Sequence, residues 1–294
     1  MKTTVFLSGV FAALLASAGA ITGTLPSPLL VSGSDRCYLL MPDGTIGWAK
    51  KGCGNIHRAY VVGAHVYWSN GDLFRTEIAT GTTTLFYSPA PKEGVYGFEA
   101  RPNGNLVVAE NATGFIAELA AGTTNPILRF AASPAKKDGS LPPVHHWFRM
   151  IRKTSQGSYL VCCSGAAIVR EFDARGNLLW EQSAPPLAFD ALRRANGNTL
   201  VSHLDAVTEY TPDHKAVWRF ACTDAPELKL ANLCGIQEMP NGNLVVGTYA
   251  NGRKDGSRTT AFEVTREKKL VWSYASTGDK NMMTAFRIDP ADWR

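Results

Sequence analysis

The sequence predicts an all-β fold, a six-bladed β-propeller built from four-stranded antiparallel blades. Three observations predict it: one turn-and-strand phrase recurs along the chain, its closing aromatic returns at blade-like intervals, and the two ends each hold an unfinished piece of the same unit. The clearest copy is NGNTLVSHLDAVTEYTPDHKAVWRF (196–220). It reads as a turn, a strand from Thr199 to His203, a tight reversal, a strand from Ala206 to Tyr210, a second turn, and a strand ending on Trp218. Asn-Gly between alternating apolar runs marks a hairpin because these residues accept positive φ at little cost.

The other copies come in order. LLVSGSDRCYLLMPDGTIGWA (29–49) and HVYWSNGDLFRTEIATGTTTLFY (65–87) carry the pattern, the second more weakly. NGNLVVAENATGFIAELAAGTTNPILRF (103–130), SQGSYLVCCSGAAIVREFDARGNLLWEQ (155–182) and NGNLVVGTYANG…TAFEVTREKKLVWSY (241–274) carry it fully. The closing aromatics Trp48, Phe86, Phe130, Trp180, Trp218 and Trp272 are 38 to 54 residues apart, as four-stranded blades require. Each unit needs one more strand before its first turn. The candidates are His57–Val62, Tyr96–Ala100, Trp147–Ile151, Phe189–Arg193 and Cys234–Glu238. The copy starting at Leu29 has no such strand ahead of it, whereas Met282–Asp289 is a strand with no blade of its own. Pairing that C-terminal strand with the N-terminal blade closes the ring and removes the open edges. No segment carries a sustained 3.6-residue apolar period, which excludes helical and α/β architectures.

Residues 21–294 read as a single propeller domain, and 1–20 as a signal peptide. Lys2 begins a short basic region, Val5 to Ala16 is apolar, and Ala18-Gly19-Ala20 is a small-x-small cleavage site. A secreted or periplasmic protein is expected, with no membrane anchor, since the apolar run is short for a bilayer and no Cys directly follows it. The net charge of +5 is scattered, without the basic stripe that nucleic-acid binding needs, so no nucleic-acid partner is expected. Six cysteines in an oxidising compartment raise the question of disulfides. Cys222 with Cys234 is the first candidate pair and Cys37 with Cys53 the second, against the alternative of small buried thiols in strands.

The long connection 131–145 and the insertion 249–258 fall on one face of the disc, together with the second-to-third-strand reversals and the blade-to-blade connections. Function concentrates on such loops over a rigid scaffold. His57, His145, His146 and His203 fall on that rim, whereas His65 and His214 fall on the side of the short turns. Joining the four are Trp147, Asp190, Asp205, Asn232, Tyr249, Arg253 and Arg258. Imidazoles can take and give protons near neutral pH or ligate a divalent metal. His57, His146, His203 and Arg258 are accordingly the candidate catalytic residues. Trp147, Asp190, Asn232, Tyr249 and Arg253 are candidates for substrate contact, and His57, His145 and His203 for a metal. Adjacent side chains on a strand alternate faces, so only one of His145 and His146 is expected to face the channel. Trp180, Trp218 and Trp272 are expected to pack between blades, and Glu171, Asp173, Glu209 and Glu263 to bond local turn amides.

FRMIRKTSQGSYLVCCSGAAIVREFDARGNLLWEQ, ALRRANGNTLVS and EVTREKKLVWSY resemble the repeats of bacterial PQQ-like, quinoprotein-type β-propeller proteins, from about 145 to 290. The resemblance implies an exported propeller and, its motifs being structural, little about activity. Quinoprotein dehydrogenases carry a vicinal disulfide, and Cys162-Cys163 is a vicinal pair. Those enzymes are eight-bladed, however, and their Ala-x-Asp…Thr-Gly signature is mostly missing here, as is a calcium-binding set. PQQ is therefore not an expected cofactor. Three function classes fit the rim. First comes a carbohydrate-active lyase or hydrolase, with Arg253 or Arg258 positioning an acidic or polar glycan. Second is a non-catalytic glycan- or protein-binding propeller. Third is a lactonase-like metal hydrolase, for which only Glu99, Asp190 and Glu238 lie near inner-strand starts.

Overall fold

The computed structural model describes residues 19–249, 259–277 and 282–289. A first strand, β1 (Gly19–Gly23), precedes the ring proper. Blade 1 contains β2 (Leu29–Gly33), β3 (Arg36–Leu40) and β4 (Ile46–Lys51); blade 2 contains β5 (Arg58–Val62), β6 (His65–Ser69), β7 (Leu73–Glu77) and β8 (Thr83–Tyr87). Blade 3 is β9 (Val95–Ala100), β10 (Leu106–Glu110), β11 (Phe115–Leu119) and β12 (Pro126–Ala131). Blade 4 is β13 (Ile151–Lys153), β14 (Tyr159–Cys163), β15 (Ile168–Phe172) and β16 (Leu178–Ser183). Blade 5 is β17 (Asp190–Arg193), β18 (Thr199–Ser202), β19 (Ala206–Tyr210) and β20 (Ala216–Ala221). Blade 6 is β21 (Leu233–Glu238), β22 (Leu244–Thr248), β23 (Thr259–Val264) and β24 (Leu270–Ser276), and the final strand is β25 (Met282–Arg287).

The expected closure is present. β25 pairs antiparallel with β2, so the order in blade 1 is β25-β2-β3-β4, with the last strand innermost. A second seal, not foreseen, is β1 on the outer edge of β24, which makes blade 6 five-stranded. That strand starts at Gly19, two residues before the expected start of the mature chain. The inner strand of blade 4 begins at Ile151, later than its sequence pattern indicated; Val144–His146 is instead a 3-10 turn following Pro142 and Pro143.

The repeated phrase has a physical basis. The Asn-Gly-Asn turns place Gly104, Gly197 and Gly242 at φ of 83°, 86° and 83°, which a side chain would oppose. Their second asparagines (Asn105, Asn198, Asn243) donate to Glu118, Glu209 and Glu263 on the third strand. Glu171, at the same position in blade 4, accepts from Ser158, and these four carboxylates do more than bond locally. Each also meets a cation from the next blade in the ring: Lys153 with Glu118, Arg193 with Glu171, Arg266 with Glu209 and Arg287 with Glu263. Burial opposes ionisation of Glu118 and Glu209, but the bonds from these partners outweigh it and hold both below the usual carboxylate range. Only Asp173 keeps to its own turn, accepting from the amides of Arg175 and Asn177.

The core lies between blades, as the aromatic spacing indicated. Trp180 and Trp218 donate across the blade boundary to the carbonyls of Pro212 and Arg266. Trp272 and Tyr274 of blade 6 pack with Leu29, Val31 and Tyr38 of blade 1 and with Met282 and Ala285 of β25. Glycines permit the closest approaches. A Cβ on Gly97 would stand 1.7 Å from the carbonyl oxygen of Arg149, so β9 lies against the backbone of the next blade only because position 97 has no side chain. At the ring's axis, Asp190 is fully buried and joins blades 2, 4, 5 and 6: it accepts from Arg58, Arg152 and the amide of Ile236.

Candidate functional site

The blade-to-blade connections and second-to-third-strand reversals converge on one mouth of the channel, the face that the loop lengths indicated. There they enclose a cavity of about 270 Å³. The β4–β5 connection supplies Asn55 and His57, and the β12–β13 connection supplies His145, His146 and Arg149. Leu187 and Phe189 enter from the next connection, and Leu204 from the reversal of blade 5. Asn232, Cys234, Tyr249 and Met283 complete the wall.

Local sequence explains how the β12–β13 connection presents three polar side chains. Pro142 and Pro143 lead into the 3-10 turn Val144–His146. Buried Asn111 donates to the carbonyls of Val144 and Phe148 and so holds both ends of that turn. Trp147 folds back to donate to Pro142, and Gly165 leaves room for Pro142 and His146 to pack on blade 4. Because this stretch is a turn rather than a strand, His145 and His146 both reach the cavity; the alternation expected of a strand does not operate.

The aromatic cluster is tight. The ring of His57 lies 4.5 Å from Tyr96 and 5.4 Å, edge-on, from His145; His145 lies 4.6 Å from Tyr96 and 5.1 Å from His146. His57 is 1% exposed; Asn55 Nδ2 stands 3.5 Å from its Nε2, and its buried Nδ1 has no hydrogen-bond partner. Burial, and then the charge of Arg149, push its pKa well below the ordinary imidazole value. The same two causes bring His145 down to about 4 and also lower His146. At neutral pH the three rings are uncharged.

Arg149 is the unusual member. It is 6% exposed, donates to the carbonyl of His145, and places Nη2 3.4 Å from His146 Nδ1. Among the described residues no carboxylate forms an ion pair with it, whereas Arg58, Arg101, Arg129, Arg152, Arg170, Arg193 and Arg194 each have one. Burial without a counter-charge pulls its pKa down to about 10. A buried cation without an acid partner costs stability unless something anionic meets it. Its charge facing a cavity of neutral rings is what an anion-binding site requires.

The sequence-derived candidates separate accordingly. His57, His145, His146, Asn232 and Tyr249 line the cavity. Asn232 and Tyr249 are tied to each other by two bonds, Asn232 Nδ2 to the Tyr249 carbonyl and the Tyr249 amide to the Asn232 carbonyl, each 2.9 Å. His203 does not join them: its two ring nitrogens are engaged by Asp205 at 3.1 Å and Thr208 at 2.7 Å, within its own blade. Asp190 braces the axis, and Trp147 packs against the apolar cluster of blades 3 and 4. Arg253 and Arg258 lie outside the described residues. The expected metal set of His57, His145 and His203 is therefore not assembled, and among the described residues no three His, Cys, Asp or Glu side chains are grouped to hold an ion. Among the described residues the lining holds a guanidinium amid imidazoles and no carboxylate, a set that suits an anion. Sequence reasoning missed Arg149, Asn55 and Tyr96. The signal was faint: Arg149 follows the His-His pair by three residues, but at a position the pattern assigns to an inner strand rather than to the long connection 131–145.

No family model matches the chain, and no curated protein matches it. Solved structures do. A protein of unknown function from Bacteroides caccae has a TM-score of 0.73 at 21% identity, covering 89% of this chain and 98% of that one. A catalytically inactive variant of virginiamycin B lyase from Staphylococcus aureus, with quinupristin, has a TM-score of 0.56 at 12% identity, covering 87% of this chain and 88% of that one. The β-propeller domain of Cps50 (Swd1) from Myceliophteria thermophila gives 0.54 at 15%, covering 91% and 89%. At these identities the likeness establishes the propeller fold and leaves the quinoprotein-type relationship unconfirmed.

Proposed function

We propose that this propeller binds a carboxylated small molecule, an acidic sugar residue in particular, and acts on it as a lyase. The observation that carries the reading is Arg149, nine-tenths buried, facing the cavity without an acid partner among the described residues and surrounded by uncharged imidazoles. Arg149 would receive the ligand's carboxylate, and the apolar wall of Leu187, Phe189, Leu204 and Met283 would take the carbon face of a sugar ring. A bound anion offsets the charge of Arg149 and so raises the proton affinity of His145, which then serves as the base. His145 removes the proton on the carbon next to the carboxylate, the carbon–oxygen bond one position further breaks, and a double bond forms between the two carbons. With His146 Nδ1 accepting from Arg149, its Nε2–H is free to protonate the departing oxygen. Lyases among proteins sharing the fold support the reaction class, and the expected export to a glycan-rich exterior suits the substrate class.

The test is a panel of uronates and oligouronates with neutral sugars as controls, followed by calorimetry and by the ultraviolet absorbance of an unsaturated product. Binding should be confined to the acids and lost in Arg149→Met; His145→Gln should bind without turnover. Acids held equally well by wild type and Arg149→Met would overturn the reading. A second reading, non-catalytic binding of the same acids, is favoured by one observation: among the described residues no carboxylate backs the imidazoles of His57, His145 or His146. Binding without product would select it.

A further inference from the structure

We propose that Cys37 and Cys53 join in a disulfide bond that clamps the segment carrying Asn55 and His57. Both are free thiols in the structure, fully buried in one apolar cluster with Ile56 and Trp68. Their adjacency comes from the backbone. Cys37 on β3 stands opposite Lys50 on β4, and Cys53 Sγ lies 3.6 Å from the carbonyl of that same Lys50. The amide of Cys53 also donates to Asp35 at 3.0 Å, which fixes the chain as it leaves β4. The two thiols share a hydrogen bond, which lowers the pKa of Cys53 and raises that of Cys37. That is the asymmetry thiol–disulfide exchange uses, with Cys53 as the attacking sulfur.

The residues just after Cys53 connect this pair to the site. The Cys53 carbonyl accepts from Asn70, the amide of Gly54 donates to Asp35 Oδ1, that of Ile56 to Ser34, and that of His57 to Ser69. The segment 53–57 is thus held to blades 1 and 2 by hydrogen bonds and by the apolar packing of Cys53 and Ile56, and a covalent link at its start would fix the entry of Asn55 and His57 into the cavity. The bond itself does not depend on the proposed lyase reading; only its value to ligand binding does. With oxidised glutathione as oxidant during folding, before blade 2 covers the pair, the Cys53 thiolate attacks one sulfur and releases one glutathione thiolate. Cys37 then loses its proton and displaces the second glutathione from Cys53. One S–S bond forms, and two electrons pass from the cysteines to the oxidant, which ends as two molecules of reduced glutathione.

The test refolds the full chain in a mixture of reduced and oxidised glutathione, alkylates remaining thiols in denaturant, and digests without reduction for mass spectrometry. The proposal expects one linked peptide pair bearing Cys37 and Cys53, two hydrogens lighter than its parts. Recovery of both as alkylated thiols, as glutathione adducts, or linked to other cysteines would overturn it. Hydrogen exchange on the same oxidised and reduced samples tests the clamp, which requires slower exchange at Gly54, Ile56 and His57 after oxidation. Equal rates would refute the clamp even if the bond forms.

Discussion

Replacing Arg149 with methionine keeps most of the stem and removes the charge, and its consequences can be worked from the geometry. Nη2 lies 3.4 Å from His146 Nδ1. Two unit charges about 4 Å apart repel by ~4 kcal/mol at an effective dielectric of about 20. His145 and His146 stand at an open mouth, so screening reduces this to ~1–2 kcal/mol, or roughly tenfold in proton affinity. His145, held at about 4, should therefore titrate at distinctly higher pH in Arg149→Met. The same change removes a buried cation that no acid among the described residues offsets, so the variant should be as stable as wild type or more so. Carboxylate binding should nevertheless fall by about 2–5 kcal/mol. The assays are histidine ring-proton NMR titrations, urea unfolding and calorimetry with a uronate. A variant that unfolds several kcal/mol more easily while its histidines titrate unchanged would show that Arg149 is a structural brace, and the argument for an anion site would fail.

Three other perturbations probe the burial, the close packing and the axial brace. The pKa of His57 is lowered on folding, so its contribution to stability is complete above the unfolded value near 6.5. As pH falls below that value the unfolded chain takes a proton that the folded chain refuses, and about 1.4 kcal/mol is lost per pH unit until folded His57 also protonates. Urea midpoints at several pH values between 7 and 5 should show this slope, and His57→Gln should reduce it; an unchanged slope would contradict the burial argument. Gly97→Ala drives a methyl group into the Arg149 carbonyl, and should cost about 3 kcal/mol and weaken ligand binding together, whereas a variant as stable as wild type would contradict the close approach. Asp190→Asn leaves Arg58 and Arg152 without their shared carboxylate, and should cost about 3–5 kcal/mol in unfolding experiments while leaving ligand affinity of the folded protein intact, since Asp190 does not line the cavity.

The ring was readable because each blade repeats the same local chemistry. Asn-Gly-Asn turns, alternating apolar strands and a closing aromatic are short-range signals, and Met282–Asp289 stood out only because five complete units showed what a sixth lacked. The face of the site was legible from loop length for the same reason. Side-chain direction was not. His203 falls on the rim by position, yet its ring turns inward to Asp205 and Thr208 past a reversal whose Leu204 has φ of 58°. Asp190 is placed near the mouth by its strand, but two arginines from other blades convert it into an axial brace. Arg149 is the converse. In FRMIRK it is one scattered cation among thirty Lys and Arg residues, and what distinguishes it is burial without an ion-pair partner among the described residues, a fact that exists only once the blades are assembled.

Closure by β25 also fixes when the site comes into being. Ser32 and Thr284, whose hydroxyls are 2.5 Å apart, are separated by 252 residues, so this contact cannot form until nearly all of the chain has left the ribosome. Met283, on the same strand, is part of the cavity wall, and Met283 and Thr284 back onto Gly235 and Gly247 of blade 6. A nascent chain could therefore have blades 2 to 5 complete and still have no pocket. The proposed ligand site would then be the last feature completed during synthesis, and a product stopped short of residue 282 would lack the Met283 side of the cavity.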